Sequence, residues 1–199
     1  MRVAFLLISD GRADYRERTL DSAKDALPEP AHFIEIDDSD HELGFAGAIE
    51  AGWKKVIDTD AEWVFHCEAD FLFERPVPID RMIAVLKRHP SLAQISLKRQ
   101  AWSQAEKLAG GFVELNPAAY TQHVDRGDMF TTHRVCFSTN PCLYPASLCH
   151  QGWPQVEHSE GVFTHRLLED PECRFAIWGG KFDAPAVEHI GVERAGNGY

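Results

Sequence analysis

Two carboxylates end one of the most apolar stretches of the chain. The segment Trp63–Phe73 reads WVFHCEADFLF, in which a single alanine separates Glu68 from Asp70. No lysine or arginine follows until Arg75. Carboxylates crowded at one place repel each other unless a positive group lies among them. The pair is therefore either a set of solvated loop or capping acids, or part of a site that holds a cation.

A divalent cation together with a phosphorylated ligand would suit such a pair. Mg²⁺ and Mn²⁺ are commonly held by one or two carboxylates and by substrate phosphates. Acids at positions i and i+2 can reach the same ion where the chain leaves a strand. The spacing alone is a weak signal, because short acidic pairs are common, and it gains weight from its place after an apolar run.

The elements predicted around this pair are alternating strands and helices. Apolar runs predict strands at residues 2–8, 32–37, 62–70 and 92–97. One helix is predicted over about 13–26, and apolar residues spaced by three and four predict two more, at 45–57 and 79–86. This order is typical of an α/β fold with a mainly parallel central sheet flanked by helices.

Acidic residues recur at the ends of these predicted strands. Parallel sheets place ligand sites outside the carboxyl ends of their strands. The acids at those ends are Asp10, Asp37, Asp38, Glu68 and Asp70. We therefore expect all of them on one edge of the sheet, where their charges have to be compensated.

The composition is that of an ordinary acidic globular protein. The 199 residues suit one domain with a substantial core, and 44% of them are apolar. The net charge of −11 disfavours general nucleic-acid binding, which needs a basic surface. No run approaches the roughly 18 apolar residues of a membrane span. The five cysteines lack paired spacing, which fits a reducing compartment, so a cytoplasmic protein is expected.

The first half of the chain resembles the nucleotide-sugar-binding half of family-2-like glycosyltransferases with the GT-A fold. The stretches that carry the resemblance are VAFLLISDGRADYRERTLDS at 3–22, IDDSDHELGFAGAIEAGW at 36–53 and VFHCEADFLF at 64–73. In that family the third stretch is the DxD motif, which binds the metal and the diphosphate of the donor. This chain has Glu68 where the family has the first aspartate.

Shorter stretches extend the resemblance over most of the chain. STNPCLYPASLCHQGWP at 138–154 is similar to the region that shapes the acceptor side. HSEGVFTHRLLED at 158–170 is similar to the segment with the catalytic carboxylate at a helix start, and VEHIG at 187–191 to the late histidine stretch that completes the metal site. The resemblance implies one domain over 1–199, with a donor half to residue 100 and an acceptor-side, catalytic half after it.

The activity implied by the resemblance is metal-dependent, inverting sugar transfer. The donor would be a nucleotide-diphosphate sugar, with a UDP-sugar the first expectation. The acceptor hydroxyl would belong to a saccharide, a protein or a modified nucleobase. Asp70, His189 and Glu68 would hold Mn²⁺ or Mg²⁺, with Glu68 acting either directly or through water. Mn²⁺ accepts an imidazole ligand more readily than Mg²⁺ does.

The resemblance also assigns roles around the metal. Glu160 would be the base that takes the proton of the acceptor hydroxyl, and Trp102 and Trp153 would lie on the acceptor side. The residues expected to contact the donor are Asp10, Arg12, Asp37, Asp38 and Arg194.

Other interpretations of these residues stay open at this point. Glu160 is also explained as a first-turn acid that the helix dipole favours, and His189 as a buried core histidine. Tryptophans more often pack in the core or at its rim. A non-catalytic nucleotide-sugar-binding module and a nucleotidyltransferase are alternative functions. A zinc deaminase is excluded, because the HxE of residues 158–160 is not followed by PCxxC.

Overall fold

The computed structural model describes residues 2–191, and apolar runs form the inner strands of its sheet. The strands are β1 (Val3–Ser9), β2 (His32–Asp37), β3 (Trp63–Glu68), β4 (Phe71–Phe73), β5 (Leu92–Ser96), β6 (Tyr120–Asp125), β7 (Asp128–His133), β8 (Cys142–Pro145), β9 (Arg174–Trp178) and β10 (Val187–His189). The helices are α1 (Ala13–Ala26), α2 (Gly44–Ile57), α3 (Ile79–Arg88), α4 (Gln104–Ala109), α5 (Phe112–Leu115) and α6 (Ser159–Leu168). Short 3₁₀ turns cover Pro117–Ala119 and Ala146–Gln151.

The predicted α/β fold is confirmed, and an antiparallel strand is inserted into it. The main sheet has the order β2-β1-β3-β8-β5-β9-β7-β6. Strands β2, β1 and β3 are parallel neighbours, as are β5 and β9. Strand β8 lies between β3 and β5 and runs antiparallel to both. Strands from both halves of the sequence therefore alternate within one sheet.

The acidic strand ends lie level with each other, as the sequence predicts. In the register of the sheet Ser9 pairs with Asp37, and Ile8 pairs with Glu68. The backbone bonds continue past the strand ends, where the N–H of Asp38 donates to the Ser9 carbonyl at 2.8 Å. The prediction that these acids gather on one edge of the sheet is confirmed.

Helix α2 packs closely on β1 because it has a glycine at the point of contact. Ala48, Ile49 and Trp53 form a buried stripe on this helix. A Cβ atom added at Gly52 would lie 2.7 Å from Cδ1 and 3.1 Å from Cδ2 of Leu6. Only a residue without a side chain fits between the helix and the strand at this distance.

A cluster of aromatic side chains joins the second half of the chain to α2. The ring centroid of Trp53 lies 5.2 Å from those of Trp153 and Phe163, and the latter two are 4.9 Å apart. Phe137 packs edge-on against Phe163 at 5.1 Å. Large buried rings dominate core energetics, so this cluster fixes the position of α6 relative to the first half.

A second, two-stranded sheet brings the end of the described chain to the acidic edge. Strand β10 pairs antiparallel with β4, and His189 lies opposite Phe71. The N–H of Ile190 donates to the carbonyl of Asp70 at 2.8 Å. His189 is therefore held next to the turn that contains Asp70.

Two further features concern the whole described range. Over residues 2–191, no helix combines the length and apolar character required to cross a bilayer. All five cysteines lie in this range and are free thiols.

The close contact between α2 and β1 can be tested by stability measurements. Gly52→Ala is expected to lower the free energy of unfolding by about 1–3 kcal/mol, because the added methyl group overlaps Leu6. The matched control is the helical Gly161, where an added Cβ has no heavy atom within 4 Å. Gly161→Ala should leave stability unchanged or raise it by up to about 1 kcal/mol. Urea unfolding followed by circular dichroism measures both, and equal effects would contradict the packing.

Candidate active site

Asp70 is a buried carboxylate with two basic partners. It is 1% exposed, and its Oδ2 lies 3.1 Å from Nη2 of Arg12 and 3.1 Å from Nε2 of His189. A charge removed from water needs a paired charge and hydrogen bonds. The positive group that the sequence requires among the acids is therefore supplied at least in part by the chain itself, through Arg12.

Arg12 is shared between two acids of the strand ends. Its Nε donates to both carboxylate oxygens of Asp10, at 3.0 and 2.8 Å. Burial disfavours the charged guanidinium, but the hydrogen bonds and charges of Asp10 and Asp70 outweigh this effect and raise the pKa of Arg12. The predicted donor-binding residues Asp10 and Arg12 thus pair with each other at the edge of the sheet.

His189 is fixed on both ring faces and along its backbone. Its ring stacks on Phe71 at 4.6 Å and lies 4.0 Å from the ring of Trp102. The side-chain amide of Gln100 accepts from its N–H at 2.9 Å and donates to its carbonyl at 2.8 Å. A side chain at Gly191 would overlap the carboxylate of Asp70, so the glycine two residues after the histidine is a steric requirement.

Glu160 faces an open cavity from the first turn of α6. Phe163 is 0% exposed and Leu167 is 8% exposed, so that side of the helix lies in the core and Glu160 lies at its margin. The residue before the helix, His158, has a φ of 54°, an uncommon value for a residue with a side chain. Ser159 is the first residue of the helix.

Thr139 joins the two glutamates of the site. Its backbone N–H donates to Oε1 of Glu160 at 2.8 Å, and its hydroxyl lies 2.9 Å from the same oxygen. The hydroxyl is also 2.9 Å from Oε1 of Glu68. Burial raises the pKa of Glu160, and the hydrogen bonds from Thr139 and the charge of Arg99 oppose this rise. A carboxylate with a raised pKa can accept a proton near neutral pH.

The cavity has room for a ligand much larger than one sugar. Its volume is about 1390 Å³, above the range of roughly 300–1,000 Å³ that is usual for small-molecule sites. Its wall contains residues from both halves of the chain, including Glu68, Arg99, Trp102, Thr139, Glu160 and His189. The cavity therefore connects the histidine beside Asp70 to the glutamate on α6.

Arg99 forms an ion pair with Glu106 of helix α4. It donates to both oxygens of Glu106, at 2.9 and 3.1 Å. Glu106 also accepts from the N–H groups of Trp102 and Ser103. These interactions, with the Arg99 hydrogen bond the largest, lower the pKa of Glu106. Arg99 thus fixes the segment that carries Trp102.

The two predicted acceptor-side tryptophans have different surroundings. Trp102 is half-buried and lines the cavity beside His189. Trp153 is 3% exposed, and its Nε1 donates to Oγ of Ser159 at 2.9 Å. The assignment of Trp153 to acceptor stacking is corrected, because Phe163 and its aromatic neighbours cover the ring. It supports the start of α6 instead.

The remaining predicted donor contacts also differ from one another. Asp37 is exposed at the end of β2, and its Oδ1 accepts from the N–H of Ser39 at 3.1 Å. Asp38 is 0% exposed and accepts from the N–H of Leu43 at 2.9 Å. The expected donor contact of Asp38 is corrected, because its carboxylate is inaccessible and holds the loop before α2. Arg194 lies outside the described residues.

The distance between Oδ2 of Asp70 and Nε2 of His189 suits two ligands of one divalent cation. Two ligands about 2.1 Å from one ion in adjacent octahedral positions lie about 3 Å apart, and these two atoms are 3.1 Å apart. Within residues 2–191, however, no three metal-binding side chains cluster together. Any ion here would need ligand oxygens, such as phosphates, to complete its coordination, and it would share Asp70 with Arg12.

Sequence reasoning missed Thr139 and Gln100. Neither residue type belongs to a recognisable motif, and both contact residues far away in sequence: Thr139 contacts Glu68 and Glu160, and Gln100 contacts His189. The only signal for Thr139 was its place in the 138–154 stretch, and Gln100 gave none.

No protein-family model and no curated protein sequence matches this chain. The fold is shared with S. aureus TarS in complex with UDP-GlcNAc, with a TM-score of 0.59 and 12% identity over 100% of this chain. The complex of TarS with UDP gives a TM-score of 0.57 and 12% identity over 94% of the chain. The chain spans 60% of the length of either TarS structure.

A second protein has the same fold and a similar length. A197 from STIV is 9% identical, with a TM-score of 0.56 over 100% of both chains. At these identities the similarity is one of fold. The GT-A fold implied by the sequence resemblance is confirmed.

The pairing of Arg12 with Asp70 predicts a measurable coupling. Arg12→Gln is expected to destabilise the protein by about 1–3 kcal/mol, because it weakens charge-assisted hydrogen bonds to a buried acid. Adding Asp70→Asn should cost less than the sum of the single changes, since the variants share one interaction. Lys24→Gln, which removes the exposed pair with Asp21, serves as the control and should change nothing measurable. Strict additivity in urea unfolding would refute the coupling.

Proposed function

We propose that this chain is a glycosyltransferase that moves a sugar from a nucleotide-diphosphate donor to an acceptor hydroxyl. The observation that carries the proposal is the placement of Glu160. It faces the cavity from a fixed helix start and is connected through Thr139 to Glu68 of the acidic sheet edge. TarS, which has the same fold, was solved with UDP-GlcNAc and with UDP, and this supports a donor of that class.

Glu160 would act as the general base. Its carboxylate takes the proton of the acceptor hydroxyl while the hydroxyl oxygen bonds to the anomeric carbon of the sugar. The bond from that carbon to the diphosphate oxygen breaks, and its electron pair leaves with the diphosphate. Proton transfer by a positioned base typically contributes about 10²–10⁴-fold to the rate.

A single carboxylate base favours direct displacement. In this mechanism the acceptor attacks the face of the sugar opposite to the diphosphate, and the anomeric configuration inverts. A double displacement would need a second carboxylate as nucleophile next to the anomeric carbon. Glu68 is held with Thr139 at the sheet edge, so the proposal assigns the base role to Glu160 alone.

We include a divalent cation at Asp70 and His189 in the proposal. Bound there, Mn²⁺ or Mg²⁺ would offset the negative charge that grows on the leaving diphosphate. Arg12 is already held by Asp10 and Asp70, and Arg99 by Glu106. These pairings support the need for added positive charge when a diphosphate binds. Glu68 would contact the hydration shell of the ion.

The proposed acceptor is a saccharide, a protein or a modified nucleobase, as expected from the sequence. The net charge of −11 disfavours a nucleic-acid acceptor. Trp102 on the cavity wall supports a ligand with flat apolar faces, such as a sugar ring or a base.

A donor screen tests the proposed function directly. The full chain with Mn²⁺ is heated with a panel of nucleotide-diphosphate sugars, and a bound donor should raise the melting temperature by mass action. The stabilising donor is then tested for slow hydrolysis to the nucleoside diphosphate and free sugar. Binding without hydrolysis or transfer would favour a binding module. Release of pyrophosphate from a nucleoside triphosphate would favour a nucleotidyltransferase.

Glu160→Gln is expected to lower the rate of transfer by about 10²-fold or more while donor affinity is retained. The amide keeps the shape of the side chain and its contact with Thr139, but it cannot accept the proton. Glu157→Gln is a suitable control, because Glu157 is an exposed acid on the same cavity wall. Near-normal turnover by the Glu160 variant would remove this residue from the mechanism.

The pH dependence of turnover follows from the environment of Glu160. The base must be ionised, and burial raises its pKa above the ordinary glutamate value of 4.5. Turnover should therefore fall as the pH decreases through this raised pKa, and the acid limb should lie above the usual glutamate range. A kcat profile that stays flat down to the ordinary glutamate pKa would contradict this prediction.

The proposed metal site predicts different effects for substitutions of Asp70 and of His189. Asp70→Asn should abolish metal-dependent donor binding, whereas His189→Ala should weaken it less, because Asp70 and the phosphates remain as ligands. Mn²⁺ should support activity at least as well as Mg²⁺. Calorimetric titration of donor in Mn²⁺ and in EDTA measures these effects. Equal affinity in both solutions, unchanged by Asp70→Asn, would eliminate the metal from the proposal.

A further inference from the structure

One oxygen of Glu160 receives two hydrogen bonds from a single residue. Both the backbone N–H and the hydroxyl of Thr139 approach Oε1, at 2.8 and 2.9 Å. Among residues 2–191, no group donates a hydrogen bond to Oε2. The carboxylate is therefore held at one oxygen, and the other oxygen is left for a ligand in the cavity.

We propose that Thr139 is a positioning residue, which holds Oε1 of Glu160 so that Oε2 accepts the proton of the acceptor hydroxyl. This inference rests on the proposed function. Thr139 is 4% exposed, so it reaches the acceptor only through Glu160. A group held in its reactive geometry needs no reorganisation when the substrate arrives.

The loop that carries Thr139 is fixed by other bonds. The side-chain amide of Gln94 accepts from the N–H of Ser138 at 2.8 Å and donates to its carbonyl at 2.7 Å. The N–H of Phe137 donates to the hydroxyl of Thr164 at 2.9 Å. The hydroxyl of Thr139 is therefore not needed to hold the loop, and its contact with Glu160 calls for a different explanation.

The hydroxyl also sets how readily Glu160 ionises. A hydrogen bond to the charged form of a carboxylate favours that form and opposes the effect of burial. The same hydroxyl has one proton and lies 2.9 Å from Glu68 as well, so it can donate to only one glutamate at a time. The backbone N–H is not shared in this way and holds Glu160 throughout.

Three groups interact electrostatically with Glu160, namely Arg99 and two cysteine thiols, and the other ionisable side chains of the cavity wall, including His158, are the same in all the threonine variants described below. Burial raises the pKa of Cys136 to about 11, and burial also raises the pKa of Cys142, so both thiols stay neutral. Arg99 is held by Glu106 and keeps its positive charge. Glu68 also loses its contact with the hydroxyl in Thr139→Val, so the NMR titration of Glu160 itself is needed to show that the hydroxyl acts on Glu160.

The test compares three threonine variants of the full chain. Thr139→Val removes the hydroxyl and keeps the N–H, whereas Thr139→Ser keeps both donors. The matched control is Thr164→Val, because the Thr164 hydroxyl binds the carbonyl of Glu160 and the N–H of Phe137 but not the carboxylate. The measurements are thermal unfolding, donor affinity, kcat across pH, and titration of the Glu160 carboxyl by ¹³C NMR, assigned with Glu160→Gln.

Thr139→Val is expected to lower kcat by about 10- to 100-fold, the effect of one hydrogen bond to a charged group, with donor affinity unchanged. The acid limb of the kcat profile and the NMR titration of Glu160 should both move to higher pH. Thr139→Ser should behave like the wild type. Thr164→Val should lose stability without moving either pH-dependent measurement.

Each other outcome decides the question. If the wild type is active and Thr139→Val keeps its kcat and pH profile, the positioning role is wrong and the proposed function stands. A Thr139→Val variant that loses only stability, as Thr164→Val does, also overturns the inference. If the wild type turns over no donor, the proposed function fails. In that case an NMR titration that is the same in wild type and Thr139→Val also removes the hydrogen-bonding role of the hydroxyl.

Discussion

Burial of the Asp70 carboxylate is the constraint on which the site depends. A carboxylate that is 1% exposed must be paired, and its partners come from distant parts of the chain. Arg12 reaches it from the turn after β1, and His189 reaches it from β10. Three features keep this arrangement close-packed. Strand β10 pairs with β4, Gln100 hydrogen-bonds to the backbone of His189, and Gly191 has no side chain that would overlap Asp70. The charge of one residue therefore organises three segments around the carboxyl edge of the sheet.

A second anchor, the aromatic cluster around Trp53, sets the other side of the cavity. Trp153 and Phe163 pack against Trp53 and place the start of α6, so that Glu160 opens to the cavity while the rest of the helix is buried. Thr139 then connects the two anchors, because its hydroxyl touches a glutamate from each. The buried charge of Asp70 and the carboxylate of Glu160 are thereby positioned by different interactions, one electrostatic and one apolar.

The first half of the fold was readable from sequence, because its strands and helices are local and strongly patterned. The predicted helix at 13–26 and strand at 32–37 match α1 and β2, and the acids at the strand ends follow from parallel topology. Strand β8 was not predicted, since four residues ending in proline carry no strong strand signal and their place between β3 and β5 depends on long-range pairing. The burial of Trp153 and Asp38 was missed for the same reason: residue type indicates what a side chain can do, and packing decides whether ligands reach it.

The pairing of charges at the site also explains why its acids alone do not define its chemistry. Arg12 is paired with Asp10 and Asp70, and Arg99 is paired with Glu106. Both positive charges are therefore already neutralised by acids of the same chain. A diphosphate that binds beside them adds negative charge at an edge that is already balanced. Nε2 of His189 and Oδ2 of Asp70 lie 3.1 Å apart at this edge, and this separation would also suit two ligands of one divalent cation, which is why the proposed ion is assigned to this pair.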